Sequence, residues 1–437
     1  MKGSSWSGFL GFTTFGESHG KAIGIVIEDV KANVVFPIEE IKKELARRRP
    51  GRGKFSSARK EDDDLVIISG VFEGKTTGAP ICLLVYNLDA KPDDYQAIKD
   101  FFRPGHADHT WYEKFKIYDY RGGGRASGRE TISRVIASAL VNKVIEPIEV
   151  TAYPIVIGEI TAVDNDLSFS KKNELYWPCP ETYPSLIDYL QNIRGRGDSV
   201  GGIVEILIRN VPAGLGDPVF EKLDANLGKA LLSIGGVKGI EFGAGFELGR
   251  LKGSEANDEI IRLSETQVKT KAGGIYGGIS SGDTINLRIV VKPTPSIALP
   301  QKTIDKEGNP QEIKLTGRFD TCIVQRVIPV AEAMIKLVFA DSFAYQKQID
   351  GQELGLDELR EAIDKVDEDI LFAIGRRKKI VEKVGELKKR EKMAVRQPGR
   401  EKELLDGLKA KGEELRISVE LIEKIWDAIL DDSRKMQ

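Results

Sequence analysis

Cysteine and long apolar runs are both scarce in this chain of 437 residues, and each scarcity excludes a class of protein. The three cysteines, Cys82, Cys179 and Cys322, lie far apart, so they form neither a disulfide framework nor a paired metal motif. No apolar stretch approaches the roughly 18 residues of a membrane span, and the N-terminus lacks the apolar core of a signal peptide. The sequence therefore predicts a cytoplasmic protein without a membrane partner.

An excess of charge of either sign is also missing. The 65 basic and 67 acidic residues leave a net charge of -2 at pH 7. Proteins that bind nucleic acid through a general positive field are strongly basic, so we expect no nucleic-acid partner. Hydrophobic residues make up 41% of the chain, which suffices for large cores, and the length indicates two or three domains.

The chain changes composition near its C-terminus. Residues 1–345 are rich in glycine and hold all three histidines, whereas residues 356–437 are rich in charge of both signs and contain only Pro398 as proline. A polar stretch, 346–355, separates them. We therefore predict a first domain over 1–345, a linker over 346–355 and a second domain over 356–437.

The first part alternates strand-like and helix-like segments. Apolar runs at 65–71 and 81–86 predict a hairpin, and 34–49 predicts a strand end followed by a helix that opens at Pro37 and is stopped by Pro50. A strand, a Pro/Gly loop and a helix follow in the same order over 201–234, which suggests an internal duplication. A strand at 283–292 and a helix at 324–339 close this part. The predicted class is α+β with mainly antiparallel pairing.

Three loops carry groups suited to chemistry: "FGESHG", "FRPGHADHTWY" and "YRGGGRASGRET". A glycine-rich loop that leads into a helix offers backbone N–H groups and a positive dipole end to phosphate, and arginines add recognition of anions. A turn with solvated arginines explains the third loop equally well. The cluster "ARRRPGRGKFSSARK" suits a small polyanion, although taken alone it is more often a solvated helix end.

The three histidines are best explained as general acids. Side chains of neighbours in a turn are expected to diverge, so His19 is not expected to serve as a base for Ser18. His106 and His109 lack further cysteine or histidine partners, and we predict no metal site. A histidine among arginine-rich loops is expected to titrate near neutrality and can act as a general acid. Each histidine alone is equally compatible with a structural role.

Taken together, these loops resemble the chorismate synthase family. The matching segments are "TTFGESHG", "RRRPG", "FRPGHAD", "DYRGGGRASGRET", "KAGGIYGGISSGD", "KPTPSI" and "GRFDTC", in the order and spacing of that family. The resemblance implies the anti-1,4-elimination of phosphate from 5-enolpyruvylshikimate 3-phosphate to give chorismate. It implies reduced FMN as cofactor, with NADPH as a candidate reductant of the flavin, a β-α-β sandwich fold and a homotetramer.

The same resemblance assigns roles to residues. His19 would serve the leaving phosphate, His106 would protonate the reduced flavin, and Asp320 would aid proton removal through the flavin. The positions matched to substrate binding are Arg48, Lys54, Arg103, Arg129 and Arg318. Those matched to the flavin are Arg125, Ser127, Gly235, Gly236, Gly278, Lys292, Thr294, Ser296 and Arg318.

This chain departs from the usual family pattern at several of these motifs. Lys54 stands where arginine is usual, so a two-point contact becomes a point charge. Ala126 and Phe319 replace a serine and a histidine, and Gly235-Gly236 replaces a more common Asn-Ala or Pro-Ala pair. None of the departures touches His19, His106 or Asp320, so we expect activity.

The second part begins with a long amphipathic helix. Apolar residues recur at spacings of three and four from Leu356 to about residue 392, but Arg377 and Lys388 occupy two positions of the apolar stripe. An anionic ligand between helices would pair with them; long stems that reach solvent would also explain either residue alone. A short helix is predicted from Arg400, and a last helix continues its apolar stripe into Ser433 and Gln437.

This part resembles the all-helical, three-helix class of chorismate mutase at "LREAID", "RRKKIVEKVGELK", "REKELL" and "DDSRKMQ". The resemblance implies the Claisen rearrangement of chorismate to prephenate without a cofactor. Arg360 lies 17 residues from Arg377, roughly 25 Å along a helix, so Arg360 is expected in the pocket of a second copy, in an intertwined dimer. The matching positions are Arg360, Arg377, Lys388, Gln397, Arg400, Glu401, Ser433 and Gln437, where Gln397 replaces the usual aspartate.

The sequence thus predicts a bifunctional enzyme whose first domain makes what its second domain consumes. One alternative is a monofunctional chorismate synthase whose helical tail only dimerises or binds a partner. Another is a flavin-carrying reductase. Because the two parts have separate cores, free diffusion of chorismate between them is the default expectation.

Overall fold

The computed structural model describes residues 3–49, 55, 63–89, 92–260, 269–317, 319–349, 356–394, 396–414 and 417–436. The chain divides into two compact units, Met1–Lys347 and Gln348–Gln437. The predicted site residues Lys54, Arg318 and Gln437 lie outside the described residues. None of the described helices has the length and apolarity of a membrane span.

The first sheet of the first unit has five strands, all paired antiparallel. The strands in this part of the chain are β1 (Ser5–Trp6), β2 (Phe12–Gly16), β3 (Ala22–Ile27), β4 (Leu65–Ser69), β5 (Val71–Phe72), β6 (Lys75–Thr76) and β7 (Ile81–Tyr86). Of these, β5 and β6 form a separate hairpin and do not belong to the sheet. The order in the sheet is β1-β2-β3-β7-β4. The predicted pairing of the two apolar runs is confirmed as β4 with β7, but the small hairpin occupies the connection between them.

Burial in this sheet follows the alternation of apolar side chains. Ile81, Leu83 and Val85 of β7 are all fully or almost fully buried on one face. The helices α1 (Ile38–Arg48), α2 (Asp108–Phe115) and α3 (Thr131–Leu140) follow the first strands, joined by short 3-10 turns. In α1 the buried residues are Ile41, Leu45 and Arg48, so an arginine extends the apolar face of the helix.

A second five-stranded antiparallel sheet lies in the same unit. The remaining strands are β8 (Glu149–Ile157), β9 (Ile160–Thr161), β10 (Gly202–Arg209), β11 (Val237–Phe242), β12 (Ile275–Tyr276), β13 (Ile279–Ser280), β14 (Ile285–Val291), β15 (Pro300–Ile304) and β16 (Pro310–Lys314). The sheet order is β11-β14-β10-β8-β9, while β12–β13 and β15–β16 are hairpins. The remaining helices of this unit are α4 (Leu167–Ser170), α5 (Tyr183–Gly195), α6 (Leu223–Leu232), α7 (Gly253–Ala256) and α8 (Val324–Ile349).

The two sheets repeat one topology. The order β2-β3-β7-β4 in the first sheet corresponds to β8-β10-β14-β11 in the second. In each sheet one helix, α1 or α6, follows the second of these strands along the chain. This shared order supports the duplication that the sequence suggests.

Helix α8 lies at the centre of the first unit. Its residues from Val324 to Ala340 are buried on nearly every side, which is typical of a helix enclosed by other layers. One apolar core joins residues of both sheets with those of α1, α3, α6 and α8. The predicted linker 346–355 begins within the last helical turn, because α8 continues to Ile349.

The second unit consists of α9 (Leu356–Glu391), α10 (Pro398–Glu414) and α11 (Val419–Lys435). The end of α9 agrees with the periodicity, but α10 has 17 residues and is not the short helix expected. No proline follows Pro398, and Gly407 and Gly412 are tolerated inside the helix. The predicted class, an antiparallel α+β part followed by helices, is confirmed.

Candidate functional site

A cavity of about 700 Å³ opens in the first unit, within the roughly 300–1,000 Å³ of small-molecule sites. All three sequence-identified loops reach it: His19 from the first, His106 from the second, and Gly122, Gly123 and residues 126–128 from the third. Asp320, which precedes α8, lines it as well. The structure therefore brings together the three side chains predicted to move protons.

Gly122 is required where the first and third loops meet. Its φ of +62° lies in the left-handed region, and a Cβ at this position would lie 2.4 Å from Nδ1 of His19. The backbone N–H of Ser18 also donates to the carbonyl of Gly124 at 3.2 Å. The glycine-rich loop thus holds the histidine turn in place as well as lining the cavity.

His19 is not separated from Ser18 as the sequence analysis expected. Its Nδ1 lies 3.2 Å from the Ser18 hydroxyl, because the turn closed by Gly20 N–H and the Glu17 carbonyl brings both side chains to one side. The same hydroxyl accepts a hydrogen bond from Gly123 N–H at 3.3 Å. The edge of Tyr95 packs on the imidazole with ring centroids 4.9 Å apart.

His106 belongs to a buried charged cluster. Its Nδ1 lies 2.7 Å from Oδ1 of Asp108, and Arg103 donates to both oxygens of the same carboxylate at 2.7 and 2.8 Å. Burial opposes ionisation, but the hydrogen bonds from His106 and Arg103 hold the pKa of Asp108 at about 2. A carboxylate only accepts, so Nδ1 of His106 carries a proton and Nε2 remains for ligand chemistry. Arg103 also donates to the carbonyl of Gly122 at 2.5 Å.

Asp320 is held by an arginine that the sequence analysis did not select. Nη1 of Arg326, in the first turn of α8, donates to Asp320 Oδ2 at 2.8 Å, and both side chains line the cavity. The sequence does not predict this contact between Asp320 and Arg326, six residues apart, because the contact depends on the conformation of the loop that leads into α8.

Two of the predicted substrate-binding arginines, Arg48 and Arg129, line the cavity with little exposure, 1% and 3%. Arg48 donates to the carbonyl of Arg129 at 3.3 Å, and Arg129 donates to Asp63 at 2.9 Å and to Asn87. Desolvated guanidinium groups are strong donors to phosphate and carboxylate oxygens.

Most positions matched to the flavin also line the cavity, namely Ser127, Gly235, Gly236, Lys292, Thr294 and Ser296. Arg125 and Gly278 do not. Arg125 donates to the carbonyls of Gly16 and Thr14 at 3.2 and 3.0 Å, and Gly278 packs against Lys222.

The lining of the cavity includes groups that fit a flavin phosphate or another polar ligand. The buried hydroxyl of Thr294 has no hydrogen-bond partner among the described residues, and a Cβ on Gly235 would meet nothing closer than 3.7 Å. Lys292 donates to the Gly105 carbonyl at 2.6 Å, and burial, with the nearby Lys238, lowers its pKa. Lys238 also lines the cavity and was not predicted as a site residue from the sequence. It lies where the register between β11 and β14 shifts, between Val237 and Gly239.

Helices α9 and α11 of the second unit line a smaller cavity of about 230 Å³. Arg377 of α9 and Ser433 of α11 both line it, and the guanidinium donates to the hydroxyl. Ser433 is 7% exposed, so the polar residue on the apolar stripe is buried against the arginine. The structure supports a polar site here and not an arginine that merely reaches solvent.

The other predicted residues of this unit lie in different surroundings. Glu401 of α10 accepts from Arg434 of α11, and Lys388 of α9 is near enough to contribute to its lowered pKa. Arg400 is exposed and pairs with Glu403 at 2.5 Å, and Gln397 is half-buried. Arg360 is exposed and does not line the cavity.

The comparisons with known proteins agree with this geometry. The family model described as chorismate synthase matches residues 10–344, more than half of the chain. The chain belongs to the chorismate synthase family. Residues 359–437 match the model described as chorismate mutase type II.

Individual chorismate synthases are similar over nearly their whole length. That of Chloroflexus aggregans is 44% identical over 352 residues, which cover 79% of this chain and 97% of that protein. That of Methanocaldococcus jannaschii is 48% identical, with 75% of this chain and 93% of that protein covered. A crystal structure of chorismate synthase is 29% identical with a TM-score of 0.59, covering 82% of this chain and 98% of that chain.

The chorismate synthase unit and the mutase helices together make this chain a bifunctional enzyme. It carries a lyase domain and an isomerase domain of the shikimate pathway. The bifunctional interpretation of the sequence is thereby confirmed.

Proposed function

We propose that the first unit eliminates phosphate from 5-enolpyruvylshikimate 3-phosphate in the presence of reduced FMN, and that the second converts the chorismate formed into prephenate. The observation that carries the first half is the convergence of His19, His106 and Asp320 on one cavity with buried arginines. The contact between Arg377 and Ser433 carries the second half. A cytoplasmic location remains a prediction from the sequence.

The elimination breaks a C–O bond to phosphate and a C–H bond, and forms a new double bond. A leaving phosphate needs a proton donor and cations around the developing charge. His19 is the donor, and the guanidinium groups of Arg48 and Arg129 hold the anionic substrate. Asp320, kept in place by Arg326, is the carboxylate that takes part in removing the proton.

The cofactor would be held by Ser127, Lys292 and Thr294, since all three line the cavity and the buried hydroxyl of Thr294 has no hydrogen-bond partner among the described residues. Reduced FMN, when bound, supplies an electron-rich ring without net oxidation of the substrate. His106 holds a proton at Nδ1 against Asp108, so its Nε2 is the nitrogen that exchanges a proton with a ligand. Arg125 and Gly278 remain predictions, since neither lines the cavity.

The rearrangement needs no covalent chemistry. It requires that a dianion be held in its reactive conformation and that charge developing on the ether oxygen be stabilised. Arg377, Lys388 and Arg400 supply cations from one chain. Of these three residues, only Arg377 lines the cavity of a single copy, which supports a site that is completed when a second copy binds.

A second copy is also favoured by the surface of α9. Ile363, Val366 and Ile370 belong to its apolar stripe and are 59%, 58% and 52% exposed, whereas Val381 of the same stripe is 8% exposed. We propose that the mutase helices pair as an intertwined dimer in which Arg360 enters the partner's pocket, and that the synthase units form a tetramer.

The experiment that tests the proposal uses the full chain with 5-enolpyruvylshikimate 3-phosphate and reduced FMN. Phosphate, chorismate and prephenate are measured over time. Release of phosphate with prephenate as the end product is expected. Phosphate with chorismate as the end product would favour the monofunctional alternative with an inactive tail, and absence of phosphate release would refute the synthase.

A further inference from the structure

Arg434 of α11 makes a two-point ion pair with Glu401 of α10. Its Nε donates to Oε1 at 3.2 Å and its Nη2 to Oε2 at 2.8 Å. The remaining Nη1 donates to Asp431 at 2.6 Å on the same helix. A planar guanidinium bound at both oxygens fixes the plane of a carboxylate as well as its distance, which a lysine does not.

Two consecutive residues of α11 therefore bind both other helices. Ser433 accepts a hydrogen bond from Arg377 of α9, and Arg434 holds Glu401 of α10. Neighbours on a helix point about 100° apart, so one turn of α11 can serve two partners. The relative position of the groups on α9 and α10 depends on this turn.

Glu401 is surrounded by cations from every element that packs against it. Arg434 faces it from α11, Arg396 lies 3.8 Å away just before α10, and Lys388 faces it from α9. The hydrogen bond from Arg434, more than the charges of Arg396 and Lys388, lowers the pKa of Glu401. Gln397, one helical turn before Glu401, is uncharged, and its backbone carbonyl accepts from the Glu401 N–H at 3.1 Å.

We propose that Arg434 is a positioning residue of the mutase: it fixes the orientation of the Glu401 carboxylate and, next to Ser433, aligns α9 with α10 around the substrate. Each oxygen of Glu401 keeps a lone pair for Lys388 or for a hydroxyl of the ligand. Arg434 thereby raises the rate without contacting the substrate. This inference rests on the mutase activity proposed above.

The test compares Arg434→Met with Lys409→Met in the full chain. Lys409 makes another ion pair between α10 and α11, 2.6 Å from Glu423, and its side chain is 34% exposed against 35% for Arg434. With chorismate as substrate, Arg434→Met should lower kcat by about tenfold, the scale of a charged hydrogen bond, with a smaller effect on KM. Lys409→Met should leave both constants nearly unchanged, and Arg434→Lys should restore part of kcat.

The dependence of kcat/KM on pH distinguishes a residue that positions the Glu401 carboxylate from one that only stabilises the helices. Without Arg434 the pKa of Glu401 rises, so the acid limb of kcat/KM should move to higher pH, and Glu401→Gln should abolish that limb. In the Glu401→Gln background, Arg434→Met should have little further effect. An unchanged kcat and acid limb, or an equal loss in Lys409→Met, would overturn the inference.

The experiment distinguishes a protein without mutase activity from one in which only the proposed role of Arg434 is wrong. If wild-type protein does not convert chorismate, the mutase and the role of Arg434 are both refuted. If wild-type protein is active and Arg377→Ala is inactive, the site stands, and the comparison of Arg434→Met with Lys409→Met decides the inference alone. Far-UV circular dichroism of each variant shows whether the helices remain folded.

Discussion

At the scale of single residues, the proposed synthase site depends on how buried polar groups are partnered. Asp108 is 4% exposed and binds both Arg103 and His106, which sets the tautomer of the histidine. The motif "FRPGHAD" showed that these residues are close in sequence. It could not show that the acid lies beneath the histidine, because that depends on α2 beginning at Asp108.

The pH dependence of stability tests the state of Asp108. Its pKa is lowered from 3.8 to about 2, so it stabilises the folded chain above pH 4 and this contribution is lost as the pH falls towards 2. The shift corresponds to about 2 kcal/mol. We expect Asp108→Asn to lower the free energy of unfolding by at least this amount at pH 6 and by less at pH 2.5, measured in urea. A difference between the two proteins that does not vary with pH would contradict the ionised, hydrogen-bonded carboxylate.

Thr294 allows the cofactor end of the cavity to be tested without catalysis. Its buried hydroxyl has no partner among the described residues, so Thr294→Val should leave the free chain equally stable or more stable by about 1 kcal/mol. The same change should weaken FMN binding about tenfold if the cofactor uses this hydroxyl. Melting temperature and flavin titration measure the two effects.

The control for Thr294 is Thr131→Val. The Thr131 hydroxyl donates to the Gly128 carbonyl at 2.6 Å, so its loss should destabilise the free chain. Unchanged flavin binding in Thr294→Val would place the cofactor elsewhere, and a lower melting temperature would contradict an unpartnered hydroxyl in the free chain.

At the scale of elements, period and spacing predicted α8, α9 and the strands β4, β7, β10 and β14, but not α5 or β8. The stripe of α9 located Arg377 and Lys388 on the side that faces other helices, and the Arg377–Ser433 contact agrees with it. The hairpins β5–β6, β12–β13 and β15–β16 were not predicted, since strands of two to five residues carry almost no pattern. Lys238 and Arg434 were missed for another reason: a strand irregularity and an interhelical pair exist only after tertiary packing.

Alanine substitutions at two glycines of α10 are expected to change the stability of the helical unit in opposite directions. A Cβ on Gly407 would meet nothing within 4 Å, whereas one on Gly412 would lie 2.0 Å from Cδ1 of the buried Ile422. Gly407→Ala should therefore stabilise the helical unit by up to about 1 kcal/mol through helix propensity. Gly412→Ala should destabilise it by about 1–3 kcal/mol through overpacking.

Urea unfolding followed by circular dichroism at the helical band measures both glycine variants. Their effects on the midpoint should have opposite signs. A stabilising Gly412→Ala would mean that α10 and α11 do not approach each other as closely as described.

At the scale of the whole molecule, the chain holds two sites of similar charge character, one in each unit. The continuous helix α9 fixes Arg360 and Arg377 about 25 Å apart along its axis, which is the geometric basis for the proposal that a second copy completes the mutase pocket. The distance between the two arginines could be predicted from the sequence alone, because it depends only on the rise per residue of a helix. Which part of the apolar stripe of α9 remains exposed could not be predicted from the sequence.

Complementation tests the proposed dimer. Arg360→Ala and Arg377→Ala should each abolish most mutase activity, because each removes a cation from both pockets. A mixed dimer keeps one pocket with both arginines intact, so co-expression should restore about a quarter of wild-type activity after random pairing. No recovery in mixtures shown to contain mixed dimers would mean that each pocket is built from one chain.

The central claim is that two independent anion sites in one chain catalyse successive reactions, and crossed variants test it most directly. His19→Ala and Arg377→Ala are each given 5-enolpyruvylshikimate 3-phosphate with reduced FMN, and in a second assay chorismate alone. His19→Ala should release phosphate roughly 10²–10⁴-fold more slowly yet convert chorismate at the wild-type rate. Arg377→Ala should release phosphate at the wild-type rate and accumulate chorismate. Loss of both activities in either correctly folded variant, or of neither, would contradict the account.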